Sequence, residues 1–184
     1  MDGTLTVSAH DFEFIRAELG IPSGEPILEA LHRLPRRQAA PLWEKLNRLE
    51  ERFAREASLM HGAIELLEKL DARGAELAIL TRNTMPVVEK TLETCGLERF
   101  FPLCHRLDRD ACVPKPSPDG ILRLLELWQA EASDTVMVGD FLYDLQAGRS
   151  AGVATIHLDV DGDRDWPEYT DIKVRHFSEL AALL

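Results

Sequence analysis

The chain has no stretch approaching the roughly 18 consecutive apolar residues that a membrane span requires, and no charged-then-apolar leader precedes a cleavage site within it. Cysteine is scarce. Cys95, Cys104 and Cys112 are odd in number and lack CxxC spacing, which argues against a disulfide framework or a zinc site built from them. Reduced, inert thiols and a cytoplasmic location are expected. Basic residues are outnumbered, 21 Lys and Arg against 32 Asp and Glu for a formal charge of −11. Neither nucleic acid nor an anionic membrane is therefore an expected partner, and an anionic substrate would need a metal or a local basic group. The histidines show no HExxH spacing. Glycine and proline are not in excess, and no internal repeat or low-complexity tract is present. What remains, 184 residues of which 45% are apolar and 29% charged, is the balance of one soluble globular domain with room for a small insertion.

Two zones follow from the hydrophobic periodicity. Residues 8–58 read as helical. Ser8 and Asp11 form a capping-box pattern, after which Phe12, Ile15 and Leu19 recur at helical spacing until Gly20, Ile21 and Pro22. A longer helix is expected after Pro41, where Leu42, Leu46, Leu49 and Phe53 share a face. Between the two helices, Arg33, Arg36 and Arg37 read either as a grip for an anionic tail or as a solvated turn. From residue 59 onward, helical segments alternate with short apolar runs: ELAIL, TVMV and VATIHL are strand-like, each followed by a helix-like segment. That alternation predicts right-handed crossovers and an α/β fold, a Rossmann-like, mostly parallel sheet with helices on both faces. The expected division is residues 1–7 with 59–184 as core and 8–58 as a small helical cap.

In such sheets chemistry collects at the carboxyl ends of the strands. ELAIL is followed by Thr81, Arg82 and Asn83, and TVMVG by Asp140 and then Asp144. Lys115 stands between two prolines in VPKPSP. Cys104 and His105 are adjacent, but neighbours on a strand point to opposite faces, so they are not expected to act as nucleophile and base. The acid-rich DVDGDRD at Asp159–Asp165 has Arg164 where an EF-hand loop needs glycine, and it reads as solvated.

Taken with Asp2-Gly3-Thr4-Leu5 at the start, the order DGT, Thr81, Lys115, GDxxxD resembles the haloacid dehalogenase (HAD) superfamily, whose motifs are DxDGT[LV], a strand-ending Ser or Thr, a Lys, and GDxxxD. The helical insertion is similar in placement to the cap of the phosphoglycolate phosphatase and β-phosphoglucomutase branch, though shorter. The resemblance implies a Mg²⁺-dependent phosphatase acting on a small phosphorylated metabolite through an aspartyl-phosphate. By the same resemblance Asp2 is the acid/base, and Thr81 and Lys115 hold the phosphoryl group. Arg82 and Asn83 bind substrate, and the metal site draws on Asp2, Asp140 and Asp144, the last as a partner of the metal's water or of Lys115. A short cap favours hydrolysis over phosphomutase chemistry. The superfamily's dehalogenases lack the acid at the Asp2 position, and receiver domains place their acidic pair first rather than last.

One part of the pattern is not in the 184 residues. The nucleophilic Asp of DxD belongs immediately before Met1, and no apolar run precedes DGT. The expectation is a longer native chain that supplies the first strand and its nucleophile. The alternative is a non-catalytic phosphate- or metal-binding module.

Overall fold

The computed structural model describes residues 1–7 and 12–183. The capping pattern expected at Ser8 and Asp11 falls outside the described residues. The helical zone comprises α1 (Phe12–Leu19), α2 (Ile27–His32) and α3 (Arg36–Arg55). Ile15, Leu19, Leu31, Leu46 and Phe53 close a small core of their own. Helix α2 was not evident from periodicity, since six residues give barely two turns of pattern. Helix α3 starts five residues before Pro41, which the sequence places ahead of it. Pro41 is its sixth residue, past the first turn, so the helix forgoes the bond that an N–H there would have given to Arg37 O. Arg36 and Arg37 thus lie in its exposed first turn, and Arg33 pairs with Glu25.

Beyond the helical zone come α4 (Ala63–Asp71), β1 (Ile79–Leu80), α5 (Met85–Cys95), β2 (Arg106–Leu107), α6 (Asp119–Trp128), β3 (Val136–Gly139), α7 (Leu142–Ala151), β4 (Ala154–Leu158), β5 (Ile172–Val174) and α8 (Phe177–Leu183). Two parallel sheets result, β1–β2 and β3–β4–β5. Helices cover both faces: Val88 and Leu92 of α5 pack with Ile79, while Leu66 of α4 and Phe177 of α8 pack with Leu158 and Val174. The fold class is the expected one, with parallel strands and intervening helices. β2 and β5 escaped the sequence reading because their residues, RL and IKV, carry too little apolar signal.

The edges of β1 and β3 that are not paired to β2 and β4 both face an apolar cavity of about 590 Å³, lined by Ile79, Leu80, Met137, Val138, Leu66 and Phe177 among others, with Met1 and Leu5 also on its wall. ELAIL accordingly contributes only Ile79 and Leu80 as strand.

Residues 1–6 fold as a tight turn, with the Leu5 N–H donating to the Met1 carbonyl at 2.8 Å. The two connections to the helical zone run side by side: Val7 N–H donates to Ser58 O at 2.9 Å, and Met60 N–H to Leu5 O at 2.9 Å. Among the described residues no helix is long and apolar enough to cross a membrane.

Candidate active site

The carboxyl ends of β1 and β3 point toward one pocket of about 810 Å³, and all seven residues singled out from sequence line it: Asp2, Thr81, Arg82, Asn83, Lys115, Asp140 and Asp144. The opposite wall comes from the helical zone, including Ile15, Glu29 and Glu50.

Lys115 is buried, and its ammonium donates to Leu80 O at 2.7 Å and to Asp144 Oδ1 at 2.5 Å. A lysine so placed is held at a fixed point, with two of its three N–H donors engaged and its side chain confined. Burial disfavours ionisation of Asp144. The nearby Lys115 charge and the hydrogen bonds from Lys115 and the Phe141 N–H (3.1 Å) nevertheless hold its pKa below the usual carboxylate range. Gly139 makes this arrangement possible, since a Cβ there would come within 2.2 Å of the Asp144 side chain.

Asp140 lies against the DGT turn. A Cβ on Gly3, whose φ is +75°, would come within 2.2 Å of Asp140 Oδ2, so glycine is needed both for the backbone conformation and for the close approach. Asp140 accepts a hydrogen bond from Thr4 Oγ1 at 2.8 Å. Burial and the neighbouring Asp144 charge push its pKa up. A partly buried carboxylate of this kind is chemically suited to Mg²⁺, which is commonly held by one or two carboxylates with water and phosphate oxygens completing its shell. Among the described residues no three His, Cys, Asp or Glu side chains gather around one point. Asp144 is engaged by Lys115, which leaves Asp140 as the carboxylate at this end of the pocket that could hold a metal.

Asp2 accepts hydrogen bonds from Asn83 Nδ2 at 2.6 Å and Thr6 Oγ1 at 3.4 Å. Asn83 thus orients an acid, beyond the substrate contact expected of it. Thr81 is buried, accepts the Asn83 N–H at 3.2 Å and donates its own N–H to Leu107 O at 2.9 Å. Arg82 reaches Glu29 of α2 and lies over the Tyr143 ring at 5.2 Å.

Several residues at or beside the pocket carried no sequence signal. Glu29 sits on the unrecognised α2, and Tyr143 hides inside GDFLYD as an ordinary helix residue. Glu50 is buried on α3 and paired with Arg109, and only its apolar neighbours marked that helix. Two readings need correction. Cys104 and His105 lie in a single helical turn, Leu103–His105, rather than on a strand; Cys104 is exposed, while the buried His105 is bound to Leu77 O and Trp128 Nε1. The DVDGDRD loop is exposed at Val160, Asp161, Asp163, Arg164 and Asp165, as read, but Asp159 is buried, accepts the N–H groups of Gly162 and Arg164, and pairs with Lys173 at 2.9 Å.

The chain is similar to several known proteins. A haloacid dehalogenase-like hydrolase domain-containing protein of Arabidopsis thaliana is 29% identical over all of this chain and 81% of its own length. The pyrophosphatase PpaX of Halalkalibacterium halodurans is 34% identical over 51% of this chain and 43% of its own. Among solved structures, a hydrolase from Pseudomonas syringae superposes with a TM-score of 0.81 at 24% identity, covering 99% of this chain and 94% of that one. The HAD-hydrolase YfnB of Bacillus subtilis, crystallised bound to magnesium, gives 0.71 at 20% identity over 100% and 95%. Residues 8–158 match the haloacid dehalogenase-like hydrolase family, and the chain belongs to that family.

Proposed function

We propose that the protein is a Mg²⁺-dependent phosphatase for a small phosphorylated metabolite, acting through an aspartyl-phosphate, in the cytoplasm. The observation that carries this reading is the convergence of Asp2, Thr81, Lys115 and Asp140 on one pocket from four separate segments of the chain. Lys115, fixed by Leu80 O and Asp144, places a positive charge where the phosphoryl group would sit. Thr81 follows Leu80, whose carbonyl holds Lys115, and its hydroxyl is the group assigned to a phosphoryl oxygen. Asp2, oriented by Asn83, protonates the leaving oxygen and then takes a proton from the attacking water. A bound Mg²⁺, held by Asp140 and the backbone of Asp2, supplies neutralisation of the phosphoryl charge. That local field resolves the conflict between a net charge of −11 and an anionic substrate.

The nucleophile in this proposal is the carboxylate immediately preceding Met1 in a longer chain, on a strand lying between β1 and β3. The apolar cavity between their free edges, with Met1 on its wall, supports that placement. Attack by this group and its release by water split the hydrolysis into two displacements. Hydrolysis is favoured over mutase chemistry by the small helical zone, which covers less of the pocket than a full cap would.

The test compares residues 1–184 with the same protein carrying its native upstream residues. The extended form should hydrolyse p-nitrophenyl phosphate with Mg²⁺ and stop in EDTA. Equal turnover by the 184-residue form would show the nucleophile to be elsewhere. Phosphate binding without turnover by the extended form would make the protein a binding module instead.

A further inference from the structure

The seam between α2 and the pocket contains a charge pair that is only half made. Arg82 donates through one terminal nitrogen to Glu29 Oε1, while Arg82 Nε and Glu29 Oε2 are both buried with no hydrogen-bond partner. A guanidinium is built for two parallel N–H bonds to one planar or tetrahedral anion. Here it uses one. Of the other cations on the pocket wall, Lys115 is held by Asp144 and Leu80 O, Arg16 by Glu25 O at 2.8 Å and Glu13 at 2.7 Å, and the exposed Arg164 by longer contacts to Asp140 O at 3.4 Å and Asp163 at 3.8 Å, with no buried unpartnered nitrogen such as Arg82 Nε. The Tyr143 ring supports the Arg82 guanidinium from one face, so its direction is set without Glu29. The Glu29 side chain is 45% exposed overall, yet its Oε2 is buried without a partner, so the carboxylate gains hydrogen bonds to water when displaced. Arg82 also directly follows Thr81, one Cα step of about 3.8 Å from the residue proposed to hold the transferred phosphoryl group.

We infer that Arg82 takes a second anionic group on the substrate, exchanging Glu29 for it. The substrate class is then a short, doubly anionic compound: a phosphoester or anhydride whose leaving part carries a carboxylate or a further phosphate close to the scissile bond. Glu29 stands in for that group until substrate arrives, and as part of α2 it makes the helical zone sense the exchange. The inference rests on the phosphatase reading above, which assigns the Thr81–Lys115 end of the pocket to the transferred phosphoryl group.

Binding to the protein carrying its native upstream residues tests it, by calorimetry at fixed free Mg²⁺ with three probes that leave no ester to hydrolyse: inorganic phosphate, phosphonoacetate and methylenediphosphonate. The two bifunctional probes separate a carboxylate from a second phosphorus centre as the preferred group. The wild type should bind at least one of them tenfold or more tighter than phosphate. In Arg82→Ala that ratio should fall to within twofold, in Arg82→Lys it should be intermediate because the charge survives without the fork, and in Glu29→Gln it should widen by about threefold. Thermal unfolding of each variant confirms that it is folded, and Glu29→Gln and Arg82→Lys carry the test if Arg82→Ala is not. Phosphate binding with no advantage for either bifunctional probe overturns this inference alone. A ratio unchanged in Arg82→Ala, or one that narrows in Glu29→Gln, does the same. No binding of phosphate by the wild type overturns the phosphatase reading and this inference with it.

Discussion

Glu50 of α3 and Arg109, just beyond β2, meet at 3.4 Å with both side chains 8% exposed. Arg109 also donates to Asn47 Oδ1 at 2.8 Å, lies over the Trp43 ring at 5.2 Å, and gives its backbone N–H to the carbonyl of Asn83, the residue that orients Asp2. The pair therefore ties the helical zone to the loop that shapes the site. Burial, reinforced by Asp2 and only partly offset by Arg109, lifts the Glu50 pKa to about 7.

A raised carboxylate pKa means the folded state holds its proton where the unfolded chain has already lost it. Stability attributable to Glu50 should thus fall as pH rises from about 4.5 to about 7 and then level off. Glu50→Gln should lack this slope, so its stability relative to wild type improves across that window in urea titrations. Arg109→Met strands an ionised Glu50 at pH 8, at a cost of about 3 kcal/mol, and should cost less at pH 5, where Glu50 is protonated. Parallel pH profiles for wild type and Glu50→Gln would refute the assignment.

Asp140 presents the same physics at the proposed metal site. Its charged form is disfavoured by burial and by Asp144, so Asp140→Asn should raise the melting temperature in EDTA. The same variant should lose the stabilisation that Mg²⁺ confers on the wild type, about 2.7 kcal/mol at a hundredfold excess over Kd. Thermal unfolding with and without Mg²⁺ measures both. A Mg²⁺ response that survives in Asp140→Asn would remove Asp140 from the donor set.

How much of this was legible in the sequence depends on the kind of signal. Helices α4 to α8 announced themselves through apolar spacing and stop residues such as Gly96 and Gly152, both in the left-handed conformation. The site residues were legible because strand ends in an α/β sheet are where function gathers, and Thr81 and Asp140 follow apolar runs directly. Pairings made across the fold were not legible. Nothing local distinguishes Glu50 from the solvated glutamates of α3, or Glu29 from any surface acid, until the fold brings Arg109 and Arg82 to them. Asp159 was misread for the same reason: its partners are two backbone N–H groups that reach it only when the loop closes, and Lys173 on β5.

Gly3 and Gly24 form a natural comparison. Both have positive φ, +75° and +77°, but a Cβ on Gly3 would strike Asp140 whereas one on Gly24 has nothing within 4 Å. Gly24→Ala should cost only the left-handed conformation, about 1–2 kcal/mol. Gly3→Ala carries that cost and must also displace Asp140, so it should further lose the Mg²⁺ response that Gly24→Ala keeps. Equal Mg²⁺ responses in the two variants would show that the Gly3–Asp140 approach does not matter to the metal.

His157 lies on β4, fully buried, with neither ring nitrogen finding a hydrogen-bond partner, against the Trp166 ring at 5.0 Å. An unsatisfied buried polar group costs about 1–3 kcal/mol, so His157→Leu, of similar volume, should be neutral or stabilising at pH 7.5 despite the lost ring contact. Burial lowers the histidine's pKa, so in acid the unfolded chain takes up a proton that the folded state resists. The stability tied to this group is therefore complete above about pH 6.5 and declines as pH falls below it, opposite in sign to Glu50. The advantage of His157→Leu over wild type should grow between pH 7.5 and pH 5 in urea titrations. An advantage that shrinks on acidification would mean that His157 is protonated and partnered in the folded protein.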